Sequence, residues 1–241
     1  MFFRQFLHED KSCLSYMVGC PAKGVVIIID PQMDIDLYIN TAQKYNLKIT
    51  DIFETHVQAD HLSGASKLSQ KTGAKVYLHQ SAHVKFDHEK LVDKQVLNIG
   101  DRTVSIVHTP GHTEDSICLL IDNWFLLTGD TLFVGDVGRV DLSIKNNPTE
   151  IKEKAAKLYH GLFERLLKFP PETEIFPGHF GGSVCGKSID GKPISTIGYE
   201  KKHNYALQFQ SQQQFIEFIT NDVPPLPENF RKIKLKNAEI T

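Results

Sequence analysis

The sequence predicts an α+β fold in which two mixed β-sheets pack face to face with helices outside. Three observations predict it. Apolar runs of strand length are interspersed with helical patterns in both halves of the 241-residue chain. The run Val25-Val26-Ile27-Ile28-Ile29 has no polar position, as expected of a strand covered on both faces. Four strand ends each deliver a His or an Asp, three of them beside a glycine turn, so the loops gather polar chemistry at one edge.

In chain order, residues 12–30 read as a hairpin: Leu14–Val18, a turn at Cys20–Gly24, then Val25–Ile29, ended by Asp30-Pro31. Ile35, Tyr38, Ile39 and Ala42 recur near 3.6 residues and predict a helix over Asp34–Tyr45. Ile49–Phe53 is a strand, Leu62–Thr72 a helix and Lys75–His79 a strand. Residues 80–95 are polar without a period and read as a surface loop or short helix. Strands follow at Val96–Ile99, Arg102–Val107, Ser116–Ile121 and Trp124–Thr128, with turns at Gly100-Asp101 and Asp122-Asn123. Ile151, Ala155, Leu158, Leu162 and Leu166 make Pro148–Lys168 an amphipathic helix. Thr196–Phe209 and Ser211–Thr220 read as further helices. Pro224-Pro225-Leu226-Pro227 breaks the pattern. With no Pro/Gly/Ser linker, residues 1–241 are expected to form a single domain, with 222–241 as an extended strap or tail.

Composition narrows the function classes. A hydrophobic content of 41% suits a globular core, and a net charge of −2 gives no reason to expect nucleic acid or an anionic membrane as partner. No apolar run is long enough to span a bilayer. Residues 1–10 lack the apolar stretch of an export signal and read as mature sequence. Cys13, Cys20, Cys118 and Cys185 form no C-x-x-C pair, so free thiols in a reducing cytoplasm are expected.

The chemistry centres on Glu54-Thr55-His56-Val57-Gln58-Ala59-Asp60-His61-Leu62-Ser63-Gly64, between a strand and a helix. Imidazole and carboxylate together suit zinc, iron or manganese. A polar surface loop would explain this stretch by itself. The theme returns, however, at Thr109-Pro110-Gly111-His112-Thr113, at Leu126-Leu127-Thr128-Gly129-Asp130-Thr131 and at Phe176-Pro177-Gly178-His179. As an ordered set over about residues 12–205, these motifs resemble the metallo-β-lactamase superfamily, whose signature is T-H-x-H-x-D-H followed by separate His, Asp and His loops. The resemblance implies an αββα sandwich with metal at one edge. Carried over, one site would be His56, position 58 and His112, and the other Asp60, His61 and His179, with Asp130 between them. The sequence departs from the pattern at Gln58, where the family has its second His.

An amide oxygen is a neutral, weak ligand and does not replace imidazole for zinc. His56, His112 and Asp130 survive intact, and two His with one carboxylate make the facial triad of non-haem Fe(II) oxygenases. The superfamily's persulfide dioxygenases use that triad, and the second signature His is not an iron ligand there. The segments Val137–Asp141, Phe180–Lys187 and Ser195–Glu200 are similar to those of bacterial members fused to a rhodanese domain.

The resemblance implies one Fe(II) per chain on His56, His112 and Asp130, oxidising glutathione persulfide or a similar persulfide with O2 to sulfite and thiol. Asp60, His61 and His179 would orient the ligands or be the remnant of a second metal site. Gln58 would hydrogen-bond water or substrate. Arg139 is the candidate for a substrate carboxylate, although Asp136 and Asp141 in its own loop could equally take it. Phe180 stands where the family's glutathione site has a Tyr. Cys185 is a persulfide acceptor or a small packing residue. A separate rhodanese and a second copy in a dimer are the expected partners. The alternative is a glyoxalase II-like thioester hydrolase with two zinc ions. A non-enzymatic binding protein and a metal-dependent nuclease are the remaining classes, the last disfavoured by the lack of a basic stripe. His79, His83 and His88 read as solvated, His108 as a strand end and His160 as surface, and His203 could line the site.

Overall fold

The computed structural model describes residues 1–142, 147–221 and 223–239. Among them the strands form two six-stranded sheets. The first holds β1 (Phe2–His8), β2 (Cys13–Cys20), β3 (Val25–Ile29), β4 (Lys48–Phe53), β5 (Lys75–His79) and β6 (Glu89–Leu91) in that spatial order. It is antiparallel from β1 to β3 and parallel from β3 to β6. The second holds β7 (Val96–Ile99), β8 (Arg102–His108), β9 (Ile117–Ile121), β10 (Phe125–Gly129), β11 (Glu174–Pro177) and β12 (Ser195–Thr196), in the order β12-β11-β10-β9-β8-β7. Its β10–β11 pair is parallel and its other pairs antiparallel, so both sheets are mixed, as expected.

Side-chain alternation builds the layers. In β3, Ile27 and Ile29 point into the core between the sheets with Leu14, Tyr16, Phe53, Val104, Ile106, Leu119 and Leu127. Val26 and Ile28 point the other way, under α1 (Asp36–Lys44) and α2 (Ala65–Thr72), where Tyr38, Ala42 and Leu68 meet them. On the far side, Val107, Cys118, Leu120 and Leu126 pack against Ala155 and Leu158 of α3 (Pro148–Tyr159) and Phe215 and Ile219 of α5 (Gln212–Thr220). The layers therefore run helix, sheet, sheet, helix. A short α4 (Ile197–His203) follows β12.

Several expectations need correction. The helix predicted over Pro148–Lys168 starts as expected, with the Asn147 side chain accepting the Glu150 N–H and Pro148 in the first turn. It then widens to a π turn at His160–Arg165 and tightens to a 3-10 turn at Leu166–Lys168. Leu158, Leu162 and Leu166 stay buried throughout, so apolar spacing does not reveal the change. Residues 2–8, given no element from sequence, form edge strand β1. Its Phe3 packs inward and Phe2 and Phe6 outward, so it shows no clean alternation. Within 80–95, β6 has one buried residue, Leu91, and gives no signal.

The expected tail is instead helical. Phe230–Asn237 form α6, Phe230 clusters with Ala59 and Leu142, and Ala238 joins the core under α1 and α2. These apolar anchors are too few to create a period among Arg231, Lys232, Lys234 and Lys236. Residues 222, 240 and 241 of that predicted strap lie outside the described ones.

Candidate metal centre

All the motif loops leave C-terminal strand ends on one edge of the sandwich: His56 to His61 after β4, His112 after β8, Asp130 after β10 and His179 after β11. The β4 loop is held by buried acids. Asp30 accepts the Thr55 N–H and hydroxyl, each at 2.8 Å, and Asp115 accepts the Val57 N–H at 2.7 Å. Glycine allows the other loops to close in. A Cβ on Gly178 would lie 2.5 Å from Asp130 Oδ1, and one on Gly111, at φ +148°, would meet the backbone nitrogen of Leu158 at 2.7 Å.

His56, His112 and Asp130 converge. Asp130 Oδ2 lies 3.8 Å from His56 Nε2 and 3.5 Å from His112 Nε2, and the two rings stand edge to face. Each residue is held from behind. His56 Nδ1 is 3.0 Å from the Thr55 hydroxyl, His112 Nδ1 donates to the Arg139 carbonyl at 2.7 Å, and Asp130 Oδ1 accepts from His179 Nδ1 at 2.7 Å. Burial lowers the His112 pKa to about 4, so the ring is neutral. With its proton on Nδ1, Nε2 presents a lone pair. Burial alone would raise the Asp130 carboxyl, but the His179 imidazole, with His56 and His112, holds it well below the usual carboxylate range.

At this point of convergence three buried atoms are left without a hydrogen-bond partner among the described residues: His56 Nε2, His112 Nε2 and Asp130 Oδ2. Buried polar atoms left unpaired cost about 1–3 kcal/mol each. Two imidazole nitrogens and a carboxylate oxygen aimed at one point fit a divalent ion, and their backing partners are of the kind that orients metal ligands.

Asp60, His61 and His179 lie beside this triad and are bonded to one another. His179 Nε2 is 2.9 Å and His61 Nδ1 3.1 Å from Asp60 Oδ2, and His61 Nε2 is 2.7 Å from Gln32 Nε2. Burial opposes charge on both rings, but Asp60 raises the His61 pKa to about 10, and Asp130, Cys185 and Asp60 raise that of His179. Gln58 turns its amide nitrogen to Asp30 Oδ1 at 3.3 Å, leaving Oε1 buried and unpaired among the described residues.

Arg139 requires correction as a substrate contact. It is 1% exposed, and its N–H groups are engaged by both carboxylate oxygens of Asp141 and by the carbonyls of Val184, Pro224 and Pro225. Of the pairings left open from sequence, the one with Asp141 forms. Phe180 is half-buried against the core between the sheets. Cys185 is buried, 4.0 Å from His179 Nε2, and burial pushes its thiol pKa up. His79, expected in solvent, is buried and stacks on His108 with centroids 3.7 Å apart. His203 is exposed beside Tyr199 and does not line the site.

With this geometry in hand, comparison decides the family. The sequence model described as the metallo-beta-lactamase superfamily matches residues 8–179. The chain belongs to the metallo-β-lactamase superfamily. Within the superfamily it is 34% identical over 227 residues to a hydroxyacylglutathione hydrolase of Rhodopseudomonas palustris, covering 87% of this chain and 83% of that one. It spans only 60% to 66% of the length of several other hydroxyacylglutathione hydrolases. Among solved structures it resembles a metallo-beta-lactamase from Staphylococcus aureus subsp. aureus COL, with TM-score 0.91 and 32% identity over all of this chain and 73% of that one. It also resembles ETHE1 from Myxococcus xanthus, with TM-score 0.87 and 28% identity over the full length of both chains.

Two residues at this metallo-β-lactamase-type edge are absent from the sequence-based candidates. Cys13, at the start of β2, puts Sγ 3.4 Å from His179 Nε2 and 3.6 Å from His61 Nδ1. Asn237 of α6 donates to the carbonyls of Gln58 and His61 and accepts the Ser63 N–H. Neither had a local motif to reveal it, because each reaches the loop through tertiary packing alone.

Proposed function

We propose that the chain is a non-haem Fe(II)-dependent dioxygenase of a low-molecular-weight thiol persulfide, glutathione persulfide or a close analogue. O2 and one water convert the terminal sulfur to sulfite and release the thiol. The observation that carries this is the unpaired convergence of His56 Nε2, His112 Nε2 and Asp130 Oδ2 in a chain whose position 58 is Gln. Two His and one carboxylate on one face leave positions for two reactants. The full-length match to ETHE1 is compatible with this branch.

When bound, Fe(II) would supply redox reactivity toward O2 together with charge stabilisation. The chain's own groups do the rest. Thr55, the Arg139 carbonyl and His179 fix the three ligands in place, so little reorganisation is needed when the ion binds. Burial of all three at 2% exposure or less keeps bulk water from the reacting sulfur. Gln58, two residues after His56, carries a buried neutral oxygen acceptor, held through its amide nitrogen on Asp30.

The second reading is a thioester hydrolase, favoured by the 34% identity to a hydroxyacylglutathione hydrolase. Fe(II)-loaded protein given glutathione persulfide should consume O2 and form sulfite, and His112→Ala should abolish both. Iron-bound protein that takes up no O2 but cleaves a hydroxyacylglutathione would establish the hydrolase instead.

A further inference from the structure

We propose that α6 is a gate over the triad, which must swing away before a substrate can reach the ion-binding atoms. The proposal rests on the triad being the reacting centre, under either reading of its chemistry. His56, His112 and Asp130 are each at most 2% exposed, and the atoms they turn toward one another are closed to solvent. A thiol persulfide or a thioester cannot enter such a site unless part of its cover moves. Phe230, at the start of α6, is 6% exposed and packs with Ala59 and Leu142. Ala59 lies between His56 and His61, and Leu142 lies just beyond Arg139, whose carbonyl holds His112. One ring is thus wedged between the loops that flank the triad.

The rest of α6 follows the same loops with few anchors. Lys234 Nζ donates to the Leu142 carbonyl at 3.3 Å, and its charge adds to burial in lowering the His112 pKa. At the far end, Asn237 bonds the Gln58 and His61 carbonyls, and the Ala238 carbonyl accepts the Lys85 N–H at 2.9 Å. Arg231, Lys232, Lys236 and Glu239 are exposed. The other α-helices each bury at least two side chains, whereas α6 buries Phe230 alone within its span. An element with so few buried contacts opens at low cost.

A hinge precedes the helix. Arg139 holds the carbonyls of Pro224 and Pro225, which gives the segment a fixed post. Between that post and α6, Leu226 is 43% exposed, and Asn229 sits in the left-handed region at φ +57° without capping the helix through its side chain. Hinges are typically a few residues at the end of an element that absorb a change in φ and ψ. Rotation there lifts Phe230 from between Ala59 and Leu142 and draws Asn237 off its two carbonyls, while Arg139 keeps the segment attached. Closure restores the same contacts and excludes water from the triad.

Pinning the helix tests the gate. Ser66 Oγ of α2 and Glu239 Oε1 lie 3.4 Å apart, and the four native cysteines are buried. Ser66→Cys/Glu239→Cys in the full chain can therefore be bridged by a short bifunctional thiol reagent, with Ser66→Cys alone as the control that the reagent should not affect. Bridged, metal-loaded protein should lose its ion to a chelator, and turn over substrate, at least about tenfold more slowly than the same protein unbridged. Phe230→Ala should lose metal about tenfold faster than the wild-type chain. Equal rates of metal loss with and without the bridge, or wild-type loss from Phe230→Ala, would overturn the gate. Metal loss that slows on bridging, in a chain that acts on neither persulfide nor thioester, would keep the gate and sink both readings of the reaction.

Discussion

The guanidinium of Arg139 turns all of its N–H groups toward the protein itself, and its partners include two carbonyls, of Pro224 and Pro225, that lead into α6. From sequence, a lone Arg in a motif loop looks like an anion receptor, because the fork that matches a substrate carboxylate equally matches Asp141. Only burial distinguishes the two. Arg139→Lys keeps the charge but offers fewer donors without the fork. It should cost about 1–3 kcal/mol, from carbonyls left unpaired. At roughly 2–4 °C per kcal/mol for a domain of this size, the unfolding midpoint should fall by several degrees. KM for the persulfide should stay unchanged. An unchanged midpoint with a raised KM would return Arg139 to the substrate. Gln58 is the opposite case: its departure from the family pattern was visible in the sequence, because the type of side chain alone, not its surroundings, limits it as a ligand.

At the scale of elements, legibility followed the source of each element's order. Strands β3, β8, β9 and β10 are covered on at least one face along their length, so their apolar runs stand out. The ligand-bearing strand ends stood out for the same reason, with glycine turns marking where each strand stops. β1 and α6 are ordered by what they dock against, and nothing local marks them. Yet α6 bears directly on the site through Asn237, whose amide nitrogen lies 3.0 Å from the Gln58 carbonyl and 2.8 Å from that of His61, and whose oxygen accepts the Ser63 N–H at 3.0 Å. One side chain thus fixes the backbone of the loop that carries His56 and His61. Asn237→Ala should weaken metal binding by about 10–100-fold, the usual cost of losing a group that orients ligands. Lys232→Ala, on the exposed side of the same helix, should leave it unchanged. Equal affinities in a metal titration of both variants would mean that the loop holds its shape without α6.

Across the whole molecule, the two sheets meet through the apolar core between them and, at one edge, through polar side chains and a few main-chain hydrogen bonds, such as the Ile117 N–H to the Thr55 carbonyl at 2.9 Å. His56 comes from the first sheet, while His112 and Asp130 come from the second. The layered class was legible because alternation is a property of each strand by itself. The strand order, and with it the convergence of four distant loops, depends on pairing between residues far apart, such as Phe125 with Glu174 in the parallel β10–β11 pair, and on packing that no spacing encodes. An ion on His56, His112 and Asp130 would therefore cross-link the layers in the native state and find no such set in the unfolded chain. Metal at 100 times its dissociation constant adds about 2.7 kcal/mol to stability. Stripping it with a chelator should lower the unfolding midpoint by about 5–10 °C, and restoring Fe(II) should recover it. In His56→Ala, which removes the first sheet's ligand, the chelator should have a much smaller effect. A midpoint that does not move when metal is shown to have left would mean that the core between the sheets holds the layers without help from the edge.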